Sequence, residues 1–232
     1  MSLYLIIMLV SIAVPFALSF EKNLMLYKRW KYLFPAIGLS MIPYLIWDVA
    51  FTKNGVWGFN PAYHGNVVIL GLPLEEILFF AIIPYACVFT YYVFKFHFPR
   101  YTLSPKWTMI FSYISVVFAL VFTFIYRDRI YTAVNLLFFA IVIYRANILN
   151  REMLGRFLLV FPVLCIPFVI VNGILTGTGI ENEIVWYNNN EIIGWRLGTI
   201  PFEDFFYAFS LIVLNLLLLE LFEKWDLKRK AK

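Results

Sequence analysis

Two short stretches hold the side chains best placed to do chemistry. In "PLEE", Glu75 and Glu76 stand side by side at the head of a long apolar run, and in "PFED", Glu203 and Asp204 do the same. Ionisable residues at or inside membrane spans are functional candidates because each costs free energy to bury. Four carboxyls converging in a low dielectric cannot all ionise. Some would hold a proton at neutral pH while others stay carboxylates, which puts a proton donor and a proton acceptor in one place. A purely structural role competes with this. An acid in the first turn of a helix is stabilised by the helix dipole by roughly 0.3–1 kcal/mol. That accounts for one acid per motif more readily than for two, since neighbouring side chains point about 100° apart on a helix.

The elements that must carry these acids follow from composition. Of 232 residues, 62% are hydrophobic and 14% charged, against about a quarter charged in soluble domains. Apolar runs of about 20 residues recur along the chain. The fold class expected is therefore all-α, a polytopic membrane protein of about seven transmembrane helices. The spans are Leu3–Phe20, Tyr32–Phe51, Pro73–Phe94, Trp107–Tyr126, Ile130–Tyr144, Phe157–Thr176 and Pro201–Phe222. The fifth extends to Leu149 if Arg145 snorkels. The first has no basic residue ahead of it and no small-residue cleavage site, so it reads as a retained span. Pro73 and Pro201 suit the first position of a helix, and Pro84, Pro162 and Pro167 are expected to kink theirs.

The two acidic motifs head the third and seventh spans, which run in the same direction. A span ending "IWDVAF" and a loop with "GVWGFNP" precede the first motif, and a span ending "VNGILT" and a loop with "EIVWYNN" precede the second. This reads as two parallel three-helix repeats, 1–106 and 127–232, joined by a connecting helix in 107–126. Sites tend to form where such repeats meet. Fifteen of the 19 Lys and Arg fall on one face; Lys53, Arg127, Arg129 and Arg196 fall on the other. The positive-inside rule then places the N-terminus outside and the C-terminus in the cytoplasm. The net charge of +5 is a topology signal and calls for no nucleic acid.

The acids keep apolar company. Phe79 and Phe80 follow the first motif, and Phe206 and Tyr207 follow the second. Trp57, Trp186 and Asp48 share their face. These seven are the candidate substrate-binding residues, since aromatic faces stabilise cations, although aromatic belts occur at any membrane interface. Two cysteines and two histidines make no metal-ligand spacing, so no metal site is expected. No dinucleotide or phosphate loop is present, so no such cofactor is expected. A retinal protein would need a lysine inside a span, and none lies there. A diphosphate-binding prenyltransferase would place its acids on the basic face. A Glu-Glu-x-x-x-Arg membrane protease would need arginine where Phe80 stands.

With "PLEE" and "PFED" at the heads of parallel-repeat helices, each behind a Trp-containing loop, the chain resembles the non-flavin lycopene β-cyclase family in its fused two-repeat form. The resemblance implies an isomerase that needs no cofactor. It would convert lycopene or a related linear carotenoid into γ- and β-carotene by proton-initiated, redox-neutral ring closure. Glu75 and Glu203 would be the leading acid/base pair, with Glu76 and Asp204 tuning or replacing them. It also implies a bacterial cytoplasmic membrane, contact with membrane lipid, and other carotenoid-pathway enzymes as partners. A proton-coupled transporter or a non-catalytic carotenoid- or lipid-binding protein is the alternative.

Overall fold

The computed structural model describes residues 1–230; Lys232, one of the fifteen basic residues counted on one face, lies outside them. Among the described residues there are seven α-helices: α1 (Leu3–Leu18), α2 (Trp30–Lys53), α3 (Leu74–His97), α4 (Pro105–Ile125), α5 (Ile130–Leu149), α6 (Arg151–Leu175) and α7 (Glu203–Lys230). The chain is an all-α polytopic membrane protein. Six helices are long and apolar enough to cross a bilayer. The seventh, α1, is shorter than the expected first span. Its 16 residues cover about 24 Å at 1.5 Å per residue. It ends early because Ser19 turns the chain, its Oγ bonding Pro15 O at 2.7 Å and Tyr85 Oη at 2.5 Å. The fifth helix does reach Leu149. Helices α3 and α6 continue past Pro84, Pro162 and Pro167.

Packing repeats along the chain. Helix α1 packs on α3 as α5 packs on α7; α2 packs on α7 as α6 packs on α3; α3 and α7 meet at the centre. Exchanging α1, α2 and α3 for α5, α6 and α7 therefore returns the same central neighbours, an approximate two-fold axis between α3 and α7. Helix α4 packs on α5 and α6, at the edge of this arrangement. The exposed Phe111, Ile114, Val117, Val121 and Phe124 of α4 are suited to lipid, where helices satisfy their own backbone groups.

The loops before α3 and α7 obey the same symmetry. Strands β1 (Trp57–Phe59) and β4 (Val185–Tyr187) pair antiparallel with each other, centred on Gly58 opposite Trp186. Each is followed by a two-residue hairpin, β2 (Val68–Ile69) with β3 (Leu72–Pro73), and β5 (Arg196–Leu197) with β6 (Ile200–Pro201). This corrects the expected role of the prolines. Pro73 and Pro201 end strands, and the helices start after them, at Leu74 and Glu203. A proline has no N–H to extend a ladder, so it marks the strand's last pairing position. Leu70 and Gly71 have φ of 54° and 90°, the left-handed pair that a tight hairpin requires.

At the other end of the bundle, ion pairs join the helices: Arg29 with Glu223, Lys31 with Asp226 at 3.3 Å, and Lys95 with Glu220 at 3.3 Å. They tie α7 to the start of α2 and the end of α3.

The β1–β4 crossing depends on one glycine. A Cβ on Gly58 would lie 2.4 Å from the Trp186 ring. Gly58→Ala is expected to lower stability by about 1–3 kcal/mol, the usual cost of overpacking, seen as a lower midpoint in detergent-solubilised thermal unfolding.

Candidate active site

The β1–β4 ribbon and its hairpins lie over the N-termini of α3 and α7, so both acidic motifs are buried beneath them. Glu75, Glu203, Asp204 and Asp48 are each at most 4% exposed. Among the described residues, no lysine or arginine forms an ion pair with any of these or with Glu76. Neutral donors hold them instead.

The first acid of each motif fastens the chain. Glu75 Oε1 accepts from Ser2 Oγ at 2.6 Å and from the Gly65 N–H at 2.8 Å. Glu203 Oε1 accepts from Thr132 Oγ1 at 2.5 Å and from the Ile193 N–H at 2.7 Å. Each therefore ties its covering loop to the helix that opens its repeat. Asn135 Nδ2 adds a bond to the Glu203 backbone carbonyl at 2.6 Å.

The second acid of each motif turns toward a cavity of about 380 Å³. Glu76 accepts from the Tyr4 hydroxyl. Asp204 accepts from three donors: Tyr131 Oη at 2.6 Å, Asn172 Nδ2 at 2.8 Å and Tyr187 Oη at 3.1 Å. Burial, and then the facing Asp204 charge, hold the Tyr187 phenol well above its ordinary range; it stays a neutral donor.

The cavity lies among α1, α3, α6 and α7, with β1 and β4 at one end. Beyond the acids and their partners the lining is mostly apolar. Val10, Val14 and Ile170 line it and are also exposed, so it opens sideways between α1 and α6, where lipid would stand. It runs from Glu76 to Thr90 along α3, about 21 Å at 1.5 Å per residue.

Of the residues expected to bind substrate, Trp57, Phe79 and Tyr207 line this cavity. Asp48 lies behind Trp57 and accepts its indole N–H at 2.7 Å. Phe80 is fully buried on the far side of α3 with Tyr44 and Leu211. Trp186 faces the outer side of the ribbon, against Gly58. Phe206 packs on Phe139 and Phe202, away from the cavity. Glu75 and Glu203, expected to lead the chemistry, are off the cavity wall, and Glu76 and Asp204 are on it.

Tyr4, Tyr131 and Tyr187 were not singled out by the sequence, and Asn172, in "VNGILT", stood out only as the repeat's counterpart of Asp48. Tyr4 and Tyr131 stand at span ends, where tyrosine is common without function. Tyr187 carried a readable signal. In a strand, neighbours face opposite sides, so Trp186 outward means Tyr187 inward, but "EIVWYNN" reads as loop rather than strand.

Each anchoring glutamate supports a loop. Glu203→Ala leaves Thr132 and the Ile193 N–H without their buried acceptor and is expected to cost about 1–3 kcal/mol. Glu203→Gln keeps an acceptor oxygen and should lose less, by thermal unfolding of the two variants side by side.

Compared with known families, the chain matches the family model described as lycopene cyclase over residues 1–94 and 128–222. The two matched segments leave out the stretch that contains α4. No curated protein and no solved structure matches the chain.

Proposed function

The chain belongs to the lycopene cyclase family, and we propose that it closes ψ-ends of a linear carotenoid into β-rings by proton transfer between Glu76 and Asp204. The carrying observation is that these two acids, one from each repeat, both line one apolar, laterally open cavity. A general acid or base must reach the reacting carbon, and geometry ranks ahead of acidity in choosing it. Glu76 and Asp204 meet that condition where Glu75 and Glu203 do not.

In this reading Glu76 carries the proton and gives it to the terminal double bond of the substrate. The carbocation is attacked by an internal double bond, and a carbon–carbon bond closes the six-membered ring. Asp204 takes a proton from the ring, whose C–H electrons form the new double bond. One proton enters and one leaves, so the hydrocarbon is isomerised with no net redox change. The proton on Asp204 returns to Glu76 before the next turnover. The donor count supports this division. Three hydrogen bonds to Asp204 suit a carboxylate, whereas Glu76 accepts one.

The rings of Trp57, Phe79 and Tyr207 flank the path of the cation, and aromatic faces attract cations. Asp48, on the indole N–H of Trp57, fixes that ring and makes it more electron-rich. The two halves, 1–106 and 127–232, thus each supply one acid, with α4 as connector. We propose a bacterial cytoplasmic membrane, as the family resemblance implies, and orient the chain with its N-terminus outside and C-terminus in the cytoplasm from its basic-residue asymmetry. Membrane lipid and other carotenoid-pathway enzymes are its proposed further partners.

Expression in cells that accumulate lycopene tests the reaction. The wild type should yield γ- or β-carotene by chromatography. Glu76→Gln and Asp204→Asn should each lower product by about 10²–10⁴-fold, the usual worth of a general acid or base. Glu203→Gln should keep activity well above both. Unchanged lycopene with a well-inserted wild type would overturn the cyclase assignment. Protease digestion of a C-terminal tag should require the membrane to be opened; cleavage in intact spheroplasts would invert the orientation.

A further inference from the structure

The approximate two-fold axis implies two equivalent sites, yet one cavity is open. Its counterpart, among α5, α7, α2 and α3, is filled by side chains. Tyr44 and Trp47 of α2 pack with Phe138 of α5 and Tyr207 of α7, with ring centroids 5.0–6.1 Å apart for Tyr44–Tyr207, Trp47–Tyr207, Tyr44–Phe138 and Trp47–Phe138.

The asymmetry is written residue by residue. Glu75 and Glu203, Pro73 and Pro201, and Gly58 and Trp186 occupy matching positions 128 residues apart. At the same spacing, Ala208 lines the open cavity, and its counterpart Phe80 is wholly buried in the filled one. Ala86 lines the open cavity, and its counterpart Leu214 packs in the filled one. Helix α1 presents Val10, Ser11 and Val14 to the cavity, with no aromatic residue between Tyr4 and Phe16; α5 supplies Phe138. At Ala208/Phe80, Ala86/Leu214 and Val10/Phe138 the larger side chain stands on the filled side, while other matched pairs, such as Phe79 and Tyr207, are large in both.

We propose that each chain holds a single site, on the α1–α6 side, and closes one ring per binding event, so that the monocyclic carotenoid leaves before its other end reacts. This rests on the cyclase reading and deepens it. A linear carotenoid is comparable in length to the hydrocarbon core, about 30 Å. With one end at Glu76 and Asp204, the other reaches toward the opposite face. The carboxylates of α7 there, Glu220, Glu223 and Asp226, are paired with Lys95, Arg29 and Lys31 and offer no proton donor. The second end must come to the same acids, and the sideways opening between α1 and α6 gives the molecule a route out to lipid and back in reverse.

Two measurements on the purified full-length protein test this. In the first, isotopically labelled lycopene reacts in lipid vesicles in the presence of excess unlabelled γ-carotene. A single site predicts label trapped in the monocyclic pool, and any bicyclic product diluted in proportion to the excess. Label passing undiluted into bicyclic product would overturn the proposal. In the second, lycopene bound per chain is read from its visible absorbance after size-exclusion in detergent. One per chain is expected, and two would overturn the proposal. If no cyclised product forms at all, the cyclase reading fails, and the bound ratio still decides the number of sites.

Discussion

Buried carboxyls at the N-termini of α3 and α7, held by hydroxyls and amides rather than by cations, are the constraint on which the rest of the structure depends. A buried polar group without a partner costs about 1–3 kcal/mol, and a charged one more. Several elements around the motifs supply donors toward that demand, although Glu75 Oε2 and Glu203 Oε2 are buried without a partner among the described residues. The residue ahead of α1 gives Ser2, α1 gives Tyr4, α5 gives Tyr131 and Thr132, α6 gives Asn172, and the covering loops give two backbone N–H groups and Tyr187. The bundle closes around these donors. The strand ribbon above exists to bring loop amides and a phenol down onto helix ends that α1 and α5 alone do not cover.

Within that arrangement the two acids of each motif do different work. Adjacent positions on a helix diverge by about 100°. The first therefore points to the loop and the opening helix of its own repeat, and the second points inward to the cavity. The doubling of the acids, which the helix dipole explains poorly, follows from this. One acid per repeat builds the cover, and one faces the cavity. Keeping cations away matters to the proposed chemistry, because a neighbouring lysine or arginine would hold a carboxyl ionised and remove the proton that starts ring closure.

The two repeats pack alike, but only one of the two equivalent spaces is an open cavity among the described residues. In a packed interior, exchanging alanine for phenylalanine or leucine is enough to fill a space. The differences at Ala208/Phe80 and Ala86/Leu214 thus separate an open cavity from a core cluster with no change of backbone design.

Much was legible in the sequence because the bilayer restricts the answer. Apolar runs in lipid must be helices, and paired acids at the heads of parallel spans stand out against them. The element order, the repeat and the acidic motifs could thus be read directly. Three things waited for the tertiary structure. Which acid faces inward depended on where the helix starts, and Pro73 and Pro201 belong to strands rather than to first turns. Which aromatics line the cavity depended on strand alternation at Trp186 and Tyr187 and on which side of α3 Phe80 falls. Whether one cavity or two exist depended on how side chains from α2, α5 and α7 meet. Periodicity reports what a single helix repeats along itself, whereas filling a space is decided by side chains from several helices at once. No pattern along one of them contains that information.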